Sequence, residues 1–109
     1  METNKPIHTN SMSFKKLISN DIVIVDFWAP WCSPCRAMEP ILDEVAIKAP
    51  AGALVGKINV DDNPSIASEY GIFSIPTLLI FHKGKEYRRY SGIQPAEKLL
   101  QILKELNTK

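Results

Sequence analysis

Apolar residues fall in short runs whose spacing switches between two periods along the chain. The run inside "DIVIVDFWA" (residues 21–29) is β-branched and aromatic almost throughout. A strand without polar alternation is one covered on both faces, so this run predicts a central strand. "ALVGKINV" (53–60) predicts a second buried strand, and "TLLIF" (77–81) pairs with residues 86–91 as an antiparallel hairpin around Lys83–Gly84. Lys5–Thr9 reads as a weak first strand. Between the strands the period lengthens to that of a helix. Met38, Ile41, Leu42, Val45 and Ala46 form a core stripe on a helix running from Cys32–Cys35 to about Ala49, with a kink expected at Pro40. Leu99, Ile102, Leu103 and Leu106 do the same on a last helix starting near Pro95. Two short helices complete the set. Asn10 or Ser11 caps the first, which buries Met12 or Phe14 with Leu17 and Ile18. Asn63 caps the second, Pro64 opens it and Gly71 closes it. Strands alternating with helices predict an α/β layer architecture.

Composition narrows the class. A chain of 109 residues suits one domain, residues 1–109, and is large enough for a single core without metals or several disulfides. With 45% hydrophobic and 23% charged residues it resembles an ordinary globular protein. The net charge is +1, so nothing argues for nucleic acid or an anionic membrane, and neither is expected as a partner. The basic cluster Lys83, Lys85, Arg88 and Arg89, interrupted by Gly84 and Glu86, reads as a solvated hairpin. Residues 1–14 hold no apolar run of a secretory signal, and no segment is long enough to span a bilayer, so the cytoplasm is the expected location.

The chemistry is concentrated in "WAPWCSPCRAMEP" (28–40), which contains both cysteines of the chain. Three readings compete. A closed zinc site needs four ligands, and His8 and His82 are far apart in sequence and outside any short-spaced pair. A structural disulfide would close a very short loop, with little entropic gain. A redox couple has a mechanism. Cys32 falls where a strand hands over to a helix, so unpaired backbone N–H groups and the positive end of the helix dipole meet its sulfur. Cys35 lies one turn on, and Pro34 fixes the backbone at an early helical position. A thiol with pKa ~8.5 is about 3% ionised at pH 7, and one lowered to ~7 is about half ionised. Nucleophilicity falls as the pKa falls, so the larger effect is on the direction of electron flow. Asp26, inside "IVIVDFW", should be desolvated and its pKa raised. Lys57 lies mid-strand, where a lysine snorkelling to the surface is the alternative reading.

The motifs "VDFWAPWCSPCR", "ILDEVA", "KINVDDNPSIASEYGIFSIPTLLIFHKGK" and the glycine of "YSGI" resemble the thioredoxin family over residues from about Ile7 to Leu106. The resemblance implies a thioredoxin fold, a central mixed β-sheet of about five strands flanked by about four helices. It implies a monomer whose Cys32–Cys35 disulfide carries electrons to disulfides in other proteins, with no bound cofactor. NADPH would supply those electrons through a flavin-containing thioredoxin reductase. Residue by residue, it implies Cys32 as nucleophile, Cys35 as resolving thiol, Asp26 as proton acceptor for Cys35, Lys57 as partner of Asp26, and a cis peptide before Pro76. Trp31, Ser33, Pro34, Val60, Ile72, Ser74, Ile75, Gly92 and Ile93 would form the docking surface, with Ile75 offering backbone to an extended substrate. Trp28 reads as a packing residue beneath the loop.

The chain departs from the family pattern at Ser33, where glycine is usual, at Arg36, where lysine is commoner, and at Ser91, which is more polar. The Ser33 hydroxyl can donate to the Cys32 sulfur or crowd a partner. Two other functions remain: an oxidase or isomerase of an oxidising compartment, or a binding subunit that uses the surface without the chemistry. A potential near about −180 mV rather than about −270 mV marks the former. Full biological activity without either cysteine marks the latter.

Overall fold

The computed structural model describes residues 4–108. Its strands are β1 (Ile7–Thr9), β2 (Ile22–Trp28), β3 (Ala53–Asn59), β4 (Thr77–His82) and β5 (Lys85–Ser91), in the sheet order β1-β3-β2-β4-β5. The helices are α1 (Phe14–Ile18), α2 (Ser33–Lys48), α3 (Pro64–Glu69) and α4 (Ala96–Asn107). The sheet is mixed: β3 runs parallel to β1 and β2, while β4 runs antiparallel to both β2 and β5.

The unbroken apolar run of β2 now has its cause. Strand side chains alternate between faces. Ile22 and Ile24 meet α2 and α4 in a core with Met38, Leu42, Val45, Leu99 and Leu103. Val23, Val25 and Phe27 meet the opposite layer, with Phe14, Leu17 and Ile66. Both faces of the central strand are therefore dry, as its composition requires. Asp26 has the parity of Ile22 and Ile24, so it projects into the α2–α4 layer.

One local expectation is corrected, the N-cap of α1, and two are narrowed. Phe14 is fully buried and Met12 fully in solvent. The N-cap of α1 is Ser13 rather than Asn10 or Ser11, because a turn intervenes: Asn10 Oδ1 accepts the N–H groups of Met12 at 2.9 Å and Ser13 at 3.0 Å. Asn63 stands at the N-cap of α3 but makes no side-chain cap bond. Its Oδ1 instead accepts from Ser11 N at 2.9 Å and its Nδ2 donates to Asn59 O at 3.0 Å, tying α3 to the turn before α1. Helix α2 continues through Pro40. The β4–β5 turn has φ 52° at Lys83 and 84° at Gly84, the two positive values that a tight two-residue hairpin requires.

Candidate active site

The strand-to-helix step after β2 builds the site. Ala29 O accepts the N–H of Cys32 at 3.2 Å and Trp28 O accepts that of Val60 at 2.9 Å, fixing the loop between β2 and the end of β3. Cys32 is the N-cap of α2, with extended backbone, and Pro34 occupies the first turn. Cys32 Sγ accepts a hydrogen bond from Cys35 N at 3.2 Å. One of the orphan donors of the helix start is thus aimed at sulfur. Cys32 and Cys35 are joined by a disulfide, with Cα atoms 5.2 Å apart.

The sequence suggests an exposed Cys32 above a buried Cys35. In this oxidised state both are covered, at 4% and 2% exposure. The Cys32 sulfur is folded back over α2 by its bond to Cys35 and lies 3.8 Å from Ile75 O. Ser33 is exposed, and its Oγ faces Arg36 Nη2 at 3.5 Å. Arg36 also donates to Pro30 O at 2.7 Å, clasping the loop.

Opposite Cys32, the Ile75–Pro76 peptide is cis. Pro76 is buried and Ile75 half-buried, and Pro76 O accepts the N–H of Gly92 at 2.8 Å. Thr77 Oγ1 donates to Ser74 O at 2.6 Å, closing the turn before the proline. Gly92 has φ 85°, and the neighbouring Ile93 is half exposed.

A groove of about 490 Å³ adjoins this point, lined by Trp31, Val60, Pro64, Ala67, Ser68, Ile72, Phe73, Ser74 and Ile75. It brings together five of the expected docking residues: Trp31, Val60, Ile72, Ser74 and Ile75. Ser33, Pro34, Gly92 and Ile93 do not line it. Trp31 is 67% exposed, its Nε1 donating to Asp61 Oδ2 at 3.0 Å. Phe73, 99% exposed, is a groove residue that sequence reasoning missed. An aromatic between Gly71 and Pro76, outside any strand or helix period, was the available signal.

On the face of β2 toward α2 and α4, Asp26 is fully buried, and neither carboxylate oxygen has a hydrogen-bond partner among the described residues. Desolvation pushes its pKa from 3.8 up to about 7; Lys57 opposes the rise and Glu39 adds to it. Lys57 is the register neighbour of Asp26 on β3 and is itself buried. Its Nζ sits 4.8 Å from the centre of the Trp28 ring and 3.6 Å from Glu39 Oε2. Lys57 therefore neither snorkels freely nor pairs directly with Asp26. Glu39, one turn beyond Cys35 on α2, was also missed. Its position four residues after a cysteine was the signal. Trp28 serves as packing for Lys57 and His8, whose ring lies 6.4 Å away.

A disulfide at a helix start, hydrogen-bonded by the helix's own backbone and flanked by an apolar groove, is a dithiol–disulfide exchange site. The comparisons agree. The family model "Thioredoxin" matches residues 5–105. A thioredoxin of Pyropia yezoensis is 50% identical over 93 residues, covering 84% of this chain and 87% of the relative. Thioredoxin 1 of Nostoc sp. is 44% identical over 98 residues, covering 89% and 92%. The solved structure of a mutant thioredoxin from Halobacterium salinarum superposes with TM-score 0.88 at 31% identity, covering 97% of this chain and 94% of that one. The chain belongs to the thioredoxin family. It is a protein thiol–disulfide oxidoreductase that reduces disulfides in other proteins through Cys32 and Cys35. Among the described residues, no helix is long and apolar enough to cross a membrane.

Proposed function

We propose the following division of labour for that reduction. Cys32, as thiolate, attacks one sulfur of a substrate disulfide. The substrate S–S bond breaks, a Cys32–substrate bond forms, and the released substrate sulfur takes a proton from solvent. Cys35 gives its proton to the Asp26 carboxylate and attacks Cys32 as thiolate. The mixed disulfide breaks, and the second substrate sulfur leaves with the electron pair and is protonated in turn. Two electrons and two protons have then passed to the substrate, and Cys32–Cys35 is a disulfide again. The substrate enters as an extended segment along Ile75, with its flanking side chains in the groove between Trp31 and Phe73. A flavin-containing reductase returns the electrons from NADPH. The protein works as a cytoplasmic monomer and an electron carrier in thiol homeostasis.

The observation that carries the assignment is the bond from Cys35 N to Cys32 Sγ at 3.2 Å. A donor at the helix start stabilises an anionic sulfur at Cys32, whereas Cys35 lies inside the helix and lacks that environment. Asp26, dry and unpaired, holds a proton up to about neutrality and can take one just above it.

The test uses two variants. Cys32→Ser abolishes insulin-disulfide reduction, and Cys35→Ser accumulates mixed disulfides with insulin. Retained turnover in Cys32→Ser, or trapping by Cys32→Ser instead of Cys35→Ser, overturns the assignment. NADPH consumption coupled through a flavin thioredoxin reductase tests the electron source; no oxidation of NADPH in the presence of protein, reductase and insulin refutes it.

A further inference from the structure

Glu39 stands outside the set of residues assigned above, yet it is in contact with that set. It projects from α2 and is half exposed, and its carboxylate forms an ion pair with a lysine that is otherwise buried. The arrangement is unequal. Lys57 and Asp26 are register neighbours on adjacent parallel strands, on the same face of the sheet. Two opposite charges so placed ordinarily pair. Here the Lys57 ammonium is engaged by the Trp28 ring on one side and by Glu39 at 3.6 Å on the other, while both Asp26 oxygens are without a hydrogen-bond partner among the described residues.

We propose that Glu39 is a positioning residue: its carboxylate holds the Lys57 ammonium beyond ion-pair distance of Asp26, and so governs the protonation of Asp26 without touching the reacting sulfurs. This rests on the reading of Asp26 as proton acceptor only for its catalytic consequence. Its electrostatic content stands on the contacts alone.

The surroundings leave few other actors. On β4 the register partner of Asp26 is Leu78, which carries no charge. The buried residues of α4 are Leu99, Ile102, Leu103 and Leu106. From α2 the charge that acts on Asp26 is Glu39, and from β3 it is Lys57. Lys57 in turn lines a cleft of about 470 Å³ with Lys5, His8 and Asp43, so these three are the other titratable groups that face it, from the β1 and α2 sides. None of them forms an ion pair with Lys57 within 4.0 Å among the described residues, whereas Glu39 does.

The physical expectation has a definite sign. Removing the Glu39 charge takes away a neighbour that disfavours the Asp26 carboxylate, and it releases the lysine toward that carboxylate. Both changes favour ionisation of Asp26.

The test follows the Asp26 carboxyl by carbon-13 NMR in the oxidised full chain, where no thiol titrates beside it. In Glu39→Gln the midpoint falls by about one pH unit. Glu39→Asp, which keeps the charge, restores most of the wild-type midpoint. Glu44→Gln removes the same charge from α2 at a position whose partner is Lys48, and leaves the midpoint where it was. An unmoved midpoint in Glu39→Gln overturns the proposal, as does an equal fall in Glu44→Gln, which would make the effect one of net charge. The pH profile of insulin reduction separates the two readings. A midpoint that falls while the profile stays fixed upholds the role of Glu39 and refutes Asp26 as proton acceptor. A midpoint and profile that fall together uphold both.

Discussion

Replacing Asp26 by asparagine removes a charge from a fully buried position in the sheet, and the structure says how the effect varies with pH. The carboxyl is fully buried and ionises at about 7 instead of 3.8. Between those values the folded protein holds a proton that the unfolded chain has released. Stability therefore falls as pH rises through this window. Below about pH 3.8 both states carry the proton and the contribution vanishes; above about 7 both have lost it and the full cost of a buried carboxylate is in force. The gap between 3.8 and about 7, at about 1.4 kcal/mol per pH unit, amounts to about 4 kcal/mol as an upper bound. Asparagine has the same shape and no charge at any pH. Its unpaired amide has a cost of its own, but that cost does not change with pH. The stability difference between variant and wild type should thus widen in favour of Asp26→Asn from about pH 4 to about pH 8 and then level off. Guanidinium unfolding of the oxidised proteins, followed by tryptophan fluorescence across this range, measures it. Parallel stability curves with no widening would refute the reasoning, because they would mean that Asp26 titrates as it does in the unfolded chain.

Further predictions concern docking and packing. Phe73→Ser removes an aromatic that lies wholly in solvent beside the groove; covering half of it in a complex is worth on the order of 1 kcal/mol, so KM for insulin should rise about fivefold while kcat/KM for a small aromatic disulfide is unchanged. Equal losses on both substrates would remove Phe73 from docking. Asp61→Ala frees the Trp31 indole N–H, now 3.0 Å from Asp61 Oδ2, and should raise KM for insulin without changing stability by more than about 1 kcal/mol, measured by denaturant midpoint. Gly56→Ala places a methyl 2.6 Å from Leu17 Cδ2, so the buried Leu17 side chain must shift at a cost of about 1 kcal/mol, read from thermal unfolding. A thermal midpoint equal to wild type would mean that Leu17 rotates away freely.

Much of this architecture was legible in the sequence because the central strand has no wet face and α2 and α4 carry clean helical stripes. The edge of the sheet was harder. In β5, Tyr87 and Tyr90 both pack against the α2–α4 core although they are three residues apart, which breaks the strand period. The cause is a bulge: Ile80 pairs with Arg88 but Phe81 with Glu86, so Tyr87 is the extra residue. At the start of α1, the composition of "NSMS" offers three plausible turn or cap residues, Asn10, Ser11 and Ser13, and only the bonds from Asn10 Oδ1 show which residues form the turn. The cysteines, Asp26 and most of the groove were reachable from motif and burial logic. The engagement of Lys57 by Glu39 was not, because it joins an exposed helix residue to a buried strand residue, and neither position is unusual for its own element. The near-equal burial of Cys32 and Cys35 belongs to the oxidised state, in which the disulfide folds the Cys32 sulfur over α2, and no local pattern encodes it.

The β4–β5 hairpin has a practical consequence. Its tip at Lys83–Gly84 is pinned to the entry of β2, since Lys83 N donates to Asp21 O at 2.8 Å, whereas the cysteines follow the exit of that same strand. Seven residues of β2 separate the two ends, about 23 Å of extended backbone. A dye, an affinity handle or a surface linker attached at Lys83 would therefore sit at the far pole of the molecule, leaving the catalytic end free to meet large clients in an immobilised or single-molecule format.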